Sequence, residues 1–356
     1  MNTTYAPQAA WFKVGTSLSS LTEEAYLQGA PSGSANSFSA VISSLAPNTK
    51  YYYRAYMTVW TESGYVDIES ENYGEFTTTA SEQLVQADWL ELPALSTGSA
   101  DYTGVFYGTG GNADEARNYS YSYSYTYFAS MWVAYPLKGS HKTGSASTST
   151  WAYNPNIASS KQVKVRSGDG SYPSMYGASD YSRGHQCPNA DRKSDELMNE
   201  QTYYVTNQTP QLDNKFNGSI WSKLENAERG LVSNANDVVY VITGPAYRTV
   251  GGNETINYLE GASGKNANPA RLPVPNYYWK AFLKVKWNGN QVSRASAIGF
   301  WFEHREYDSD KEHYSDFAVP VDEIELLTGF DLFANLPDGV EATAEAASDW
   351  SAFQRF

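Results

Sequence analysis

Cysteine, histidine, basic residues and long apolar runs are what this 356-residue sequence has least of. A single cysteine, Cys187, excludes an intrachain disulfide, and with it a disulfide-stapled scaffold or a multi-cysteine zinc site. No apolar run approaches the roughly 18 residues that a membrane-spanning helix requires, so no membrane span is expected. Imidazole chemistry must choose among four residues, His141, His185, His304 and His313. Against 39 Asp and Glu stand only 25 Lys and Arg, a net charge of -14 that would argue against a polyanionic partner if it were evenly spread. It is not. Lys and Arg number 3 against 10 acids in residues 1–100, 19 against 15 in 101–300 and 3 against 14 in 301–356, so the middle alone is net positive, by 19 − 15 = 4. A local groove for a polyanion is compatible with that distribution, with weak and salt-dependent long-range steering. The start, Met1-Asn2-Thr3-Thr4-Tyr5, has neither a basic segment nor an apolar core, so an export signal is expected to have been removed or never to have existed.

What is present describes a folded chain. Hydrophobic residues at 41% and charged residues at 18% exclude disorder over most of the length, and the length itself predicts two domains. Residues 1–80 read as short β segments separated by Gly, Ser, Asn and Pro, as at Gly33–Ser37 and Pro47–Thr49. Tyr51, Tyr53, Ala55, Met57 and Val59 alternate as on a half-buried strand, and Tyr73–Thr78 reads as a closing strand. Leu45, Pro47, Thr49 and Tyr51 have the spacing found near a tyrosine corner, and the stretch resembles a fibronectin type III-like sandwich, shorter than is usual. A linker is expected at 81–90, followed by a second domain over 91–356.

That second domain opens on Tyr119, Tyr121, Tyr123, Tyr125 and Tyr127, a period of two that predicts a strand with one tyrosine face. Such a face could stack bases, but the run leads into Met131-Trp132-Val133-Ala134-Tyr135, which favours packing. Further strands are predicted at Val238–Thr243, Trp279–Trp287 and Ala297–Phe302, and a helix at Val321–Leu327 stopped by Gly329. Without a βαβ rhythm or internal repeat, the fold class is mixed α+β.

Two clusters carry chemistry. In Ser182-Arg183-Gly184-His185-Gln186-Cys187, Arg183 can hold a phosphate, Gly184 permits close backbone approach, and a neutral His185 can accept a proton near neutral pH. The second cluster runs from Thr206-Asn207-Gln208-Thr209-Pro210-Gln211 to Asn217, Trp221, Glu225 and Arg229. If a helix starts at Asn217, Trp221 lies about 40° and Glu225 about 80° around its axis, which puts a carboxamide oxygen and a carboxylate on one side. Such a pair suits Mg²⁺, which keeps most of its waters.

Arg-Gly-His-Gln, Thr-Asn-x-x-Pro-Gln and Asn-x-x-x-Trp-x-x-x-Glu, in this order, resemble the DNA/RNA non-specific endonucleases, the ββα-metal nucleases of Serratia-nuclease and endonuclease G type. The resemblance runs from Tyr119 to Trp350 and takes in Val239–Pro245 and Val321–Asp331. It implies a β-hairpin presenting His185 as general base and a following helix presenting Asn217 as the sole protein ligand of a hydrated Mg²⁺, for which Mn²⁺ could substitute. By the same resemblance Glu225 acts on the metal's waters, Arg183 and Arg229 clamp phosphate, and Asn207 supports the site. The implied activity is hydrolysis of DNA and RNA to 5′-phosphate ends, and the implied setting is a secreted, periplasmic or cell-surface bacterial enzyme.

Three positions depart from the family pattern. Ser182 replaces the usual acid before Arg-Gly-His, and the Asn207–Asn217 spacing is one residue longer. Ser149, two residues before Trp151, replaces an upstream arginine, so that clamp is either absent or supplied by Lys142, Lys161 or Lys164. These departures keep two other readings open: an impaired enzyme whose β-sandwich binds a glycan or protein partner, and a phosphodiesterase of small phosphoesters. Cys187 is expected to be a buried structural thiol, and the loop with Glu303, His304, Asp308, Asp310, Glu312 and His313 a solvated charged segment. Gly108–Gly111 reads as a turn, while Asn207-Gln208-Thr209 and Asn217-Gly218-Ser219 also fit glycosylation acceptors.

Overall fold

A computed structural model describes residues 7–26, 49–61, 64–77, 89–94, 100–110, 116–165, 180–260 and 271–356. The chain divides into two compact units, Met1–Val85 and Gln86–Phe356.

In the first unit the described residues form one antiparallel sheet of β1 (Pro7–Gly15), β2 (Glu23–Tyr26), β3 (Lys50–Thr61), β4 (Gly64–Glu69) and β5 (Gly74–Thr77). Its order is β2-β1-β3-β4, with β5 also paired to β3. The alternation expected for Tyr51–Val59 is blurred. Tyr51 and Val59 are buried, but the residues between them are half-buried on both faces. Aromatic rings on β1 and β5 explain this, since Trp11 stacks on Tyr56 at 5.6 Å and Tyr51 on Phe76 at 5.7 Å between ring centroids. The turn at Gly33–Ser37, Leu45 and Pro47 of the expected tyrosine corner, and residues 81–88 of the expected linker lie outside the described residues.

The second unit is built on a seven-stranded antiparallel sheet. In chain order it comprises β6 (Tyr102–Tyr107), β7 (Arg117–Ser124) and β8 (Ala129–Lys138), then β9 (Tyr181–His185), α1 (Glu196–Gln201) and β10 (Gln208–Leu212). Next come α2 (Ser222–Gly230), β11 (Val238–Ala246), β12 (Asn257–Glu260), β13 (Arg271–Val274), β14 (Tyr277–Asn288) and β15 (Gln291–Glu303). The last are β16 (Ala318–Val319), α3 (Val321–Thr328), α4 (Asp338–Glu345) and α5 (Trp350–Arg355). The large sheet has the order β16-β15-β14-β11-β8-β7-β6, while β9 pairs with β10 and β12 with β13 in separate ribbons. The architecture is α+β.

All of β7 is buried, so both of its faces are covered. The Tyr119, Tyr121 and Tyr123 rings face the core with their hydroxyls satisfied: Tyr119 donates to Gln201 O at 2.7 Å, Tyr123 donates to Lys161 O at 3.1 Å, and Asn154 Nδ2 donates to Tyr121 Oη at 2.8 Å. Tyr119, Tyr121 and Tyr123 are therefore packing surface and closed to bases, whereas β7 ends at Ser124 and leaves Tyr125 and Tyr127, expected on the same strand, half-buried in the turn beyond it. The strands expected in β11, β14 and β15 are all present and longer than predicted. Helix α3 ends at Gly329, whose φ of 75° is the left-handed conformation that glycine adopts without a Cβ penalty. Among the described residues no helix is long and apolar enough to cross a membrane.

Candidate active site

Strands β9 and β10 form an antiparallel ribbon with His185 opposite Gln208, Gly184 opposite Thr209 and Arg183 opposite Pro210. The alternation of a strand sends Arg183 and His185 to one face. Gly184 is required for a local reason: a Cβ there would collide with the Gln211 side chain. The close approach expected at this glycine is thus that of a side chain on the neighbouring strand.

His185 ends the strand in an aromatic cradle. Its ring lies 4.8 Å from Trp151 and 4.7 Å, edge to face, from Tyr203, and the guanidinium of Arg183 sits over the same Trp151 ring at 5.5 Å. The imidazole is half-buried, and its Nε2 is closed off from solvent without a hydrogen-bond partner. Burial pushes its pKa down to about 4, so the ring is neutral at physiological pH and free to accept a proton. Arg183 Nη2 also donates to Val165 O at 3.3 Å.

Asn207 holds the chain just beyond the histidine. It is fully buried, its Oδ1 accepts from Cys187 N at 2.9 Å, and its Nδ2 donates to Cys187 O at 2.9 Å and Thr202 O at 2.8 Å. A carboxamide that accepts from the N–H and donates to the C=O of one residue fixes that segment as a strand partner would. The same bonds leave no nitrogen free for a glycan in the folded chain. Cys187 is buried, and burial raises its thiol to about 12, which keeps it protonated and unreactive.

From β10 the chain enters a wide π-type helical segment, Asp213–Trp221, and only then α2. Ser219, at φ −124° and ψ −106°, breaks the helix between Asn217 and Glu225. The expectation that Asn217 starts a continuous helix is corrected accordingly, because a 100° step per residue cannot be carried across this kink. Asn217-Gly218-Ser219 are three weak helix formers in succession, which explains why the backbone departs here, and wide turns of this type recur at functional sites. Trp221 is buried and stacks on Phe216 at 5.7 Å, so it anchors the segment in the core. Asn217 Nδ2 donates to Ser182 Oγ at 2.7 Å. This bond ties the helical segment to the strand that carries His185 and leaves the amide Oδ1 as the atom suited to a hard cation.

Behind the segment lies a buried charge network. Lys280 Nζ meets Glu228 Oε2 at 2.8 Å with both side chains fully buried, Tyr135 Oη donates to Glu228 Oε1 at 2.8 Å, and Arg229 Nη1 meets Asp191 Oδ1 at 2.8 Å. Glu225 is half-buried beside it. Burial pushes its pKa up to about 7, opposed by Lys280 and Arg229 and assisted by Asp191 and Glu228. Arg229 is thus engaged by Asp191, and its Nη2 donates to Asn226 Oδ1 at 2.9 Å. Lys142, one of the three lysines expected to replace the missing arginine, donates to Arg229 O at 2.8 Å.

In the charged loop after β15, expected to be solvated, Asp308, Asp310 and Glu303 are exposed, and ion pairs join Arg305 to Glu312 at 2.6 Å and Lys311 to Asp308 at 2.8 Å. His304 departs from that expectation. Leu212 N donates to its Nε2 at 2.9 Å, which makes Nδ1 the donor to Pro275 O at 2.8 Å. It therefore pins the end of β10 where the chain turns toward Asn217. The ring packs 5.1 Å from Phe216 and 4.9 Å from Tyr278, and burial lowers its pKa to about 4. Trp151, Tyr203 and His304 were not singled out as supporting residues by the sequence; the only signal was Trp151 as the landmark after the missing arginine.

The chain is 33% identical to the Schizosaccharomyces pombe protein "Nuclease 1, mitochondrial" over 168 residues, 46% of this chain and 49% of the relative. It is 30% identical to a Nostoc nuclease over 186 residues, 50% of this chain and 59% of the relative. A Serratia marcescens nuclease is 30% identical over 220 residues, 60% of this chain and 72% of the relative. The chain thus spans about half the length of the fission yeast relative, and the relatives include bacterial and mitochondrial proteins. Among solved structures the EndoG/EndoGI complex overlaps at a TM-score of 0.49 with 20% identity, over 66% of this chain and 88% of the other. The family model for DNA/RNA non-specific endonucleases matches residues 99–339, and the chain belongs to that family.

Proposed function

We propose that this protein is a divalent-cation-dependent endonuclease that hydrolyses the phosphodiester backbone of DNA and RNA without reading sugar or sequence. The observation that carries this reading is a neutral histidine held in an aromatic cradle, on the strand whose Ser182 also fixes the Asn217 carboxamide. Water attacks phosphorus, the bond to the 3′ oxygen breaks, and the phosphate stays on the 5′ side. His185 takes the water's proton at Nδ1, the ring nitrogen that is not closed off. Trp151 and Tyr203 hold the ring in place, and Arg183 lies on the same face of β9 to meet a phosphate oxygen. Asn217 Oδ1 would hold the cation, with Glu225 reaching it through water. Bound there, Mg²⁺ supplies positive charge for the departing 3′ oxygen. Arg229, paired with Asp191, adds positive charge near Glu225 rather than closing on the substrate by itself. Every contact in this scheme is to phosphate, metal or water, and such contacts carry no base information.

Ser182 is compatible with an active enzyme, since its hydroxyl orients Asn217 where the family has an acid. The test is digestion of plasmid DNA and of RNA with Mg²⁺, with Mn²⁺ and with EDTA, by the wild type and by His185→Ala. Removing a general base is expected to cost about 10²- to 10⁴-fold in rate with both substrates. Equal rates for the two proteins would rule out the proposed base, and cleavage of only a small phosphodiester would favour the narrower phosphodiesterase.

A further inference from the structure

The C-terminal part of the chain holds a second group of acids that the proposed nuclease chemistry does not use. Asp322 and Glu325 are three residues apart on α3, and so share a face, and Glu345 ends α4. One carboxylate oxygen from each lies within 4.8 Å of the others. Glu345 is 4% exposed, and its Oε1 is buried with no hydrogen-bond partner. Glu325 Oε1 is occupied by Leu332 N at 2.6 Å, which fixes that side chain and leaves its other oxygen available. Among the described residues no Lys or Arg forms an ion pair with any of the three.

A carboxylate shut away from water without a partner is costly, and the place adds to the cost. The C-terminal end of a helix carries the negative pole of its dipole, which disfavours the Glu345 carboxylate and favours a cation. Burial, followed by Glu325, Glu341, Asp322 and Asp331, raises the pKa of Glu345 to about 9. The contrast with Glu228 is direct, since that buried glutamate has Lys280 and Tyr135.

We propose that Asp322, Glu325 and Glu345 form a binding site for a hard, calcium-sized divalent cation that clamps α3 to α4. An all-carboxylate donor set selects oxygen-seeking ions over those that prefer thiolate or imidazole. The three donor atoms lie within 4.8 Å of one another, close enough to converge on one ion, and Ca²⁺, with its flexible oxygen coordination at about 2.4 Å, tolerates such a set better than Mg²⁺, which demands a near-ideal octahedron at about 2.1 Å. The site shares no residue with the Asn217 position and does not depend on the nuclease reading.

The test is calcium titration calorimetry and thermal unfolding of the EDTA-treated full chain carrying Asn217→Ala, so that an ion at Asn217 is not counted. One Ca²⁺ per chain is expected to bind. At 100-fold excess over its dissociation constant it should shift the folding equilibrium about 100-fold toward the folded state. Glu345→Gln, added to this background, should abolish binding while unfolding, without calcium, no lower than its parent. Asp322→Asn, at an exposed position where folding is not at risk, should weaken binding at least tenfold. No calcium binding in the Asn217→Ala chain, undiminished binding in both carboxylate variants, or tighter binding of Mg²⁺ than of Ca²⁺ would each overturn the assignment.

Discussion

His185 and His304 stand at the ends of two strands of the second unit, β9 and β15, and burial lowers both to a pKa of about 4. Their surroundings differ in one respect. His304 has both ring nitrogens engaged, by Leu212 N and Pro275 O, whereas the buried nitrogen of His185 has no partner. The carboxylates repeat the contrast, with Glu228 held by Lys280 and Tyr135 and Glu345 held by nothing at Oε1. Buried polar groups are normally satisfied, so a satisfied one reads as scaffold and an unsatisfied one as a place where something else binds. By that criterion Glu228 and His304 are scaffold, while His185 and Glu345 are among the groups left open.

The largest test of this distinction is Lys280→Met. If Glu228 is scaffold, removing its counter-ion leaves a charge buried without compensation and costs about 3–5 kcal/mol in urea unfolding, most of it recovered in the double variant with Glu228→Gln. A loss below about 0.5 kcal/mol would erase the distinction between Glu228 and Glu345.

Glu225 lies between the two classes, because it borders the network and yet is assigned to the cation. Glu225→Gln is expected to lower activity or the apparent Mg²⁺ affinity by about 10- to 100-fold with little change in unfolding midpoint. A stability loss with unchanged Mg²⁺ dependence would move it to the scaffold.

The smallest effect concerns His304 and pH. Its folded pKa of about 4 lies below the unfolded value of about 6.5, so the unfolded chain binds more protons between them. Its contribution is complete above about pH 6.5 and is lost as the pH falls toward 4. His304→Gln should therefore flatten the stability profile over that window by about 1–2 kcal/mol relative to the wild type. A profile parallel to the wild type's would mean that His304 does not titrate as a scaffold group.

Local pattern made much of this molecule readable. The tyrosine run gave β7, the apolar stretches gave β11, β14 and β15, and Gly329 marked the end of α3. The family resemblance carried by the Arg-Gly-His and Asn-Trp-Glu clusters implied a hairpin followed by a helix. What sequence spacing could not convey depends on contacts between distant positions. Glu228 and Lys280 are 52 residues apart, and Leu212 and His304 are 92 apart. The kink at Ser219 was hidden because helical spacing was extended through three residues that do not sustain a helix. The alternation in β3 was legible but its burial was not, because aromatic rings from neighbouring strands cover both of its faces.

The most direct measurement for the catalytic proposal is anomalous diffraction from crystals of the wild-type protein soaked in Mn²⁺. A manganese peak about 2.1–2.2 Å from Asn217 Oδ1 is the predicted result. A protein that cleaves DNA in Mn²⁺ yet binds the ion at other residues, with none near Asn217, would contradict it.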